Sequence, residues 1–403
     1  MKTVNERGLV FAFTFMAFVL GTTEYIIVGL LSEIAASLQI TLAVAGSLVS
    51  GFAIAYAAGT PVLMVLIARF PKKQTILAAI CLIILFNLLS AASGTYGMML
   101  FTRVVTAVLC GLAISLSLSV VSEIVTPARQ GRSVSYILGG FGVANVLGVP
   151  VGTFVGQHFE WQAAFILTAL LGGLAFVFNL FVIPAHLQNR KGSLKKQLSL
   201  LTNGRILLAF LIPVFGTGAV FSIYTYIRPV MDKVMSIPVT SVSWILLGYG
   251  LATIFSTWIG GRIASGNALG KLRIAFLIQM GVYILFFFAA PVPVLGVIFL
   301  ILSACMSNIL NVTAQLYLIE LAVEQSAEAR DFAASLNPVA ANTGIAGGSA
   351  IGGFVVATSG LSALFWTAAA IALAAFAVTA ISYRLKRRSK PLLMHEEAGQ
   401  VSA

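Results

Sequence analysis

The sequence predicts an all-α membrane protein with twelve transmembrane helices in two six-helix pseudo-repeats. Three observations predict it. The chain is 59% hydrophobic and 9% charged, with a mean hydropathy of +1.02. Soluble domains carry about 25% charged residues, so water cannot be the solvent for this much apolar surface. Turn residues and charges divide the chain into twelve apolar runs near the length of about 20 residues that a bilayer requires. A glycine-rich fifth run, GGFGVANVLGVPVGTFVG, is echoed by GIAGGSAIGGFV at the matching place in the second half. Small residues at that density let helix backbones approach closely, and their recurrence points to a tandem repeat.

The runs follow in order. The first, 8–30, is too long for the apolar part of a cleavable signal and lacks a small-residue cleavage site, so it is read as a spanning helix. The second, 42–68, is closed by Arg69, Lys72 and Lys73. Runs 74–93 and 97–121 come next, the latter followed by Arg129 and Arg132, and then 133–156 and 161–183. The longest hydrophilic connection, Pro184 to Arg205, carries His186, Arg190, Lys191, Lys195 and Lys196. Beyond it lie 206–228, 241–262, 272–290, 294–318, 332–357 and 361–383. The expected domains are an N-terminal bundle 1–183, a basic linker 184–205, a C-terminal bundle 206–383 and a tail 384–403.

The net charge of +12 could suggest nucleic acid in a soluble chain, but here the basic residues sit at helix ends and in loops. Orientation is the better explanation. Lys and Arg fall before helix one, after the even-numbered helices and in the linker, which predicts that both termini and the linker are cytoplasmic. The loop after helix seven breaks the pattern with Arg228 and Lys233. The run Arg384 to Lys390 suits an anchor to anionic lipid. The acids Glu320, Glu324, Glu328 and Asp331 make the loop after helix ten unusual.

Cys81, Cys110 and Cys305 lie inside apolar runs without metal-ligand spacing and read as small core residues. The glycine-rich stretch neither follows a strand nor opens a βαβ helix, and there is no Walker A sequence, which argues against an ATP-driven pump. No nucleophile–base or metal constellation supports an enzyme. The expected partners are a small-molecule substrate, protons and the lipid bilayer, with no cofactor beyond a proton gradient and a monomeric chain.

Glu24 carries the chemistry. It lies two thirds of the way along helix one, where a carboxylate costs roughly 2.5–3.5 kcal/mol on insertion scales and is retained only facing a bundle interior or a water-filled path. At 1.5 Å per residue Glu24 lies about 24 Å from the inner end of helix one, and Arg103 about 10 Å from the outer end of helix four. The two therefore share a depth. A guanidinium favours the ionised carboxylate and burial the neutral acid, so a state change that alters either loads or releases a proton. The competing reading makes Glu24 a structural polar group near the headgroups and Arg103 a fixed donor to the backbone of helix one or two.

Asn308, Asn311 and Gln315 share one face of helix ten, at spacings of three and four. They line a cavity or bond a neighbouring helix. Thr23, Tyr56, Asn145, Tyr224, Tyr226 and Asn342 complete the candidate substrate-binding set, with Asn337 a further candidate; Tyr224 and Tyr226 could equally be interfacial belt aromatics.

At these residues the chain resembles the major facilitator superfamily, and within it the twelve-helix drug:proton antiporters. Gly148, Pro150 and Gly152, within GVPVG, look like the antiporter motif of helix five. Arg103 followed by Gly111 looks like the family's intramembrane arginine motif, and TTEYIIVGLL resembles the branch of sugar, purine and chloramphenicol-type efflux permeases. ARFPKK, with Arg69, looks like a degraded form of the loop signature between helices two and three. That signature carries an acid where Ala68 stands, which puts the cytoplasmic latch of the family in doubt unless Glu123 or another loop acid replaces it. The resemblance implies proton-coupled efflux of small amphipathic drugs or metabolites across a bacterial-type cytoplasmic membrane by alternating access, with Glu24 and Arg103 coupling the proton. An uncoupled or proton-symport facilitator of a sugar or nucleoside is the alternative.

Overall fold

The computed structural model describes residues 5–184, 187, 203–263, 268–323 and 329–401. Twelve helices in it are long and apolar enough to cross a membrane. In the first half they are helix one Glu6–Gly29, two Leu42–Leu66, three Lys72–Ala91, four Tyr96–Ile124, five Arg129–His158 and six Trp161–Val182. In the second they are helix seven Gly204–Tyr224, eight Val239–Gly260, nine Ala268–Ala289, ten Pro293–Leu310, eleven Pro338–Ser359 and twelve Ala363–Lys386. With an even number of spans, the start of helix one and the end of helix twelve lie on one face, here called the terminal face; the opposite one is the distal face.

Several starts follow from capping. The Asn5 side chain accepts from the Gly8 N–H, Thr41 from Val44 and Thr95 from Met98. Each satisfies one of the backbone donors that a helix N-terminus leaves without an internal partner.

Three boundaries differ from the sequence reading. Helix seven, read as 206–228, ends as a span at Tyr224, and the chain re-enters a short helix Ile227–Lys233. Pro229 suits the first turn of a new helix, since its missing N–H would be unpaired there anyway. Tyr226 and Arg228 are therefore distal residues beyond the span. Helix twelve, read as ending at 383, continues as helix to Val401, because the Arg and Lys after it are good helix formers. Helix five starts earlier than 133 and is interrupted: residues Ala144–Gly148 form a π-turn. Helix two has the same device at Ala55–Gly59. Each π-turn ends in Gly-x-Pro, at Gly59–Pro61 and Gly148–Pro150. A proline has no N–H to give the preceding turn and clashes with the carbonyl four residues back, so the ladder widens there.

The halves repeat one packing scheme. Helix five lies on helix one, and helix eleven on helix seven, each through its glycines. Gly148 leaves no room for a side chain: a Cβ there would overlap Thr22 of helix one. Gly344 and Gly348 lie in the same way against Val214, Thr217 and Gly218. Between the halves, helix two meets helix eleven and helix five meets helix eight. A Cβ at Gly250 of helix eight would sit 2.5 Å from Val146 Cα and 2.8 Å from the Asn145 carbonyl oxygen, so only glycine admits the bulged backbone there. Buried apolar side chains of both halves, among them Ile27, Leu48, Tyr226 and Leu246, form one continuous cluster. The large apolar side chains exposed elsewhere, such as Phe181, Trp244 and Phe354, suit a hydrocarbon surround.

Candidate functional site

Glu24 and Arg103 are buried, at 7% and 1% exposure. Arg103 Nη1 donates to the Thr23 carbonyl oxygen at 2.6 Å and Nη2 to that of Glu24 at 2.9 Å. Its Cζ lies 4.2 Å from the centroid of Phe52, over the ring face. The shared depth expected from the sequence is therefore present. The guanidinium grips the backbone of helix one, as the structural reading of Arg103 anticipated, and at the same time lies within electrostatic reach of the Glu24 carboxyl. The two readings are compatible: the carbonyls of Thr23 and Glu24 hold the cation in place, and the Glu24 carboxyl lies beside it. Tyr25, Tyr56 and Cys110 also lie in the field of Glu24. The Thr23 hydroxyl is buried with no hydrogen-bond partner among the described residues.

An opening between the halves is lined by Asn145, Thr217, Phe221, Tyr224, Tyr249, Thr253, Ser307 and Asn308. It continues into a smaller recess bounded by Tyr283, Leu300 and Ser303. Asn145, raised on the π-turn of helix five, accepts from the Tyr224 hydroxyl at 3.2 Å. Tyr224 stacks on Tyr249, with centroids 4.8 Å apart and planes at 17°. Phe221 meets Tyr224 edge-on at 5.5 Å and touches Tyr25 at 6.2 Å. A row of rings thus runs from the residue after Glu24 to the opening.

The structure gathers Asn145, Tyr224 and Asn308 on one wall. Asn308 Nδ2 donates to the Thr253 carbonyl and to Thr257 Oγ1, so it bonds a neighbouring helix and lines the opening at once. Tyr56 is buried on the π-turn of helix two near Glu24. Tyr226 lies off this wall: it is fully buried against Gly46 and Gly352, and its hydroxyl donates to the Ser349 carbonyl at 3.1 Å. Asn342 is buried and donates to the Pro338 carbonyl four residues back in its own helix. The side chains of Asn311, Gln315 and Asn337, those of the acidic loop, and nearly all of the basic linker lie outside the described residues. Gly148 and Gly152 pack helix five onto Thr22 and Ile26, and Pro150 is buried after the π-turn.

On the terminal face, Arg69 is exposed and lies over the Phe70 ring. Glu123 binds Lys72 Nζ at 2.6 Å, and Lys72 also donates to Ser119. Glu123 is thus engaged within the N-terminal half, joining the starts and ends of helices three and four. Sequence reasoning missed the ring wall of Tyr25, Tyr249 and Tyr283, because isolated tyrosines in apolar helices give no spacing signal. It missed the π-turns too, although the paired Gly-x-Pro sequences mark them.

The model of the Major Facilitator Superfamily matches residues 13–329. The chain belongs to this superfamily. It is a multi-pass membrane transporter of that kind, and its family is not one of enzymes. This transporter is 33% identical to the uncharacterized MFS-type transporter YtbD of Bacillus subtilis (strain 168), over 97% of this chain and 99% of that protein. It is 25% identical to a probable sugar efflux transporter of Helicobacter pylori (strain ATCC 700392 / 26695), over 89% and 93% of the two chains. Among solved structures, a bacterial homolog of the human lysosomal transporter Spinster, inward-facing and occupied, superposes with a TM-score of 0.77 at 13% identity, covering 93% of this chain and 96% of that one. That likeness concerns the fold alone.

Proposed function

We propose that this transporter exports small amphipathic drugs or small metabolites in exchange for protons, by alternating access across a bacterial cytoplasmic membrane, with both termini on the inside. The observation that carries the reading is the Glu24 carboxyl, buried in mid-bundle beside a guanidinium that two helix-one carbonyls fix in place. Burial favours its neutral form and the cation its ionised form. Rocking of one half against the other changes both, and so changes the proton affinity. Solute binding then lowers proton affinity by the factor with which protonation lowers solute affinity. The energy source is the proton gradient, and no other cofactor is invoked. The sugar efflux relative supports the export direction, and the basic residues of the terminal face support the orientation.

The contacts between the halves at Tyr226–Gly46 and Arg228–Glu33 close the distal side. This fits a state whose site opens toward the terminal face.

A second reading, an uncoupled or proton-symport facilitator of a sugar or nucleoside, is favoured by the lack of charged side chains among the described residues of the opening. The deciding experiment is solute-induced proton release from purified protein, wild type against Glu24→Gln, over drugs, sugars and nucleosides. Release from wild type alone supports exchange at Glu24. Equal release from both moves the proton site elsewhere, and binding without release in either supports the uncoupled facilitator.

A further inference from the structure

The buried charges and the wall of the opening belong to different halves. Glu24 and Arg103 stand on helices one and four, whereas every described lining residue except Asn145 comes from helices seven to ten. That wall is neutral, so a full charge brought onto it would lose water without gaining a counter-ion. Its polar groups are mixed in kind. Asn308 uses Nδ2 within the protein and keeps Oδ1 as an acceptor. Asn145 uses Oδ1 and keeps Nδ2 as a donor. Ser303 and Ser307 donate to carbonyls of their own helix and retain acceptor capacity. The Tyr224–Tyr249 stack adds a flat face. A wall that offers both a donor and acceptors suits hydroxyl groups, each of which is both, and the flat face suits a ring.

The single wall residue from the other half is tied to the charge pair through backbone. Asn145 sits on the π-turn that ends at Gly148. Gly148 abuts Thr22, and the next two carbonyls, of Thr23 and Glu24, hold Arg103. On the export reading above, we infer that the solute is an uncharged ring compound with hydroxyls along one edge. We further infer that the Asn145–Tyr224 hydrogen bond is the contact through which its arrival reaches the proton site. A solute hydroxyl that takes the place of either partner breaks this bond, releases helix five from helix seven and shifts the Gly148–Thr22 contact beside Glu24.

The test uses purified full-length protein with uridine, phenyl β-glucoside and tetraphenylphosphonium as probes, measuring binding and protons released per bound solute. Wild type is expected to bind one or both neutral probes with release, and tetraphenylphosphonium is expected not to displace them. Tyr224→Phe keeps the ring and removes the bond, and Asn145→Ala removes it from the other side. In each, protons per bound solute fall by more than half, while binding changes by no more than about tenfold, the worth of one hydrogen bond, because the bond that the solute breaks is already absent. The double variant adds no further loss, because both changes delete the same contact. Displacement by tetraphenylphosphonium, or binding of neither neutral probe, overturns the solute class. Release by wild type and equal release per solute by both variants, or additive losses in the double variant, overturn the coupling contact alone. Binding by wild type without release overturns the export reading and the coupling with it.

Discussion

Arg228 and Glu33 lie 195 positions apart in sequence, in opposite halves, and meet at the distal face, where Arg228 Nε and Nη2 both donate to Glu33 Oε1 at 3.2 and 3.1 Å. Arg228 is one of two basic residues that break the charge pattern of the loops. Its burial in this seam gives it a structural reason to be there: it is paired across the halves, and its Nη1 and the Glu33 Oε2 are buried with no other partner among the described residues.

Glu33→Gln should therefore loosen the distal seam. The pair is partly exposed on the Glu33 side, so the loss is set at about 1–3 kcal/mol, a shift of roughly 5- to 150-fold in the balance between closed and open seams. Labelling of a cysteine placed at Ala43 with an impermeant maleimide reads this as a faster reaction. The exchange Glu33→Arg with Arg228→Glu should bring labelling back toward the wild-type rate. A rate unchanged in the single variant would show that the pair does not hold the seam.

Glu24→Gln and Arg103→Ala should separate chemistry from architecture. The hydrogen bonds of Arg103 go to carbonyls, so Glu24→Gln leaves them intact, and thermal stability should change by less than about 1 kcal/mol while proton-driven uptake into inverted vesicles falls by at least about tenfold. Arg103→Ala deletes two charge-assisted bonds and the contact with Phe52, and should cost about 2–5 kcal/mol. Equal thermal shifts in the two variants would contradict this division.

Lys72 is buried with its charge on Glu123 and Ser119. Removing the carboxylate by Glu123→Ala strands the ammonium. Because Glu123 is about one-third exposed, with a relative side-chain accessibility of 35%, the expected loss is about 1–3 kcal/mol, below that for a fully buried pair. A thermal-shift measurement checks it, and Lys72→Met with Glu123→Leu should recover most of the loss.

Gly250→Ala tests the seam between helices five and eight. The added carbon meets the backbone of Val146 and Asn145, which cannot rotate away. Overpacking should cost about 1–3 kcal/mol and slow transport. Gly173, whose Cβ would meet nothing within 4 Å, is the control expected to tolerate the same change.

Much of this was legible in the sequence. Twelve spans follow from run length and composition, because a bilayer demands a fixed apolar length whatever the neighbours are. Glu24 was legible because an acid in such a run is costly and therefore rare. Its pairing with Arg103 followed from depth along two antiparallel helices. Tyr226 was not legible in the same way: only the break after Tyr224 places it in the distal seam, apart from Tyr224 on the wall.

The sequence by itself determined the fold class, the number of spans, the pseudo-repeat and the depth at which buried charge sits. These depend on one-dimensional quantities: hydropathy, helical rise and the positions of glycine. Only the tertiary structure decided that Arg103 holds carbonyls of helix one, that Asn145 meets Tyr224, that Glu123 belongs to Lys72 and that Arg228 closes on Glu33. Each of these contacts joins residues on different helices. Azimuth around a helix, π-turns that rotate it, and the way two halves face each other are set by packing in three dimensions, and no spacing along a single helix encodes them.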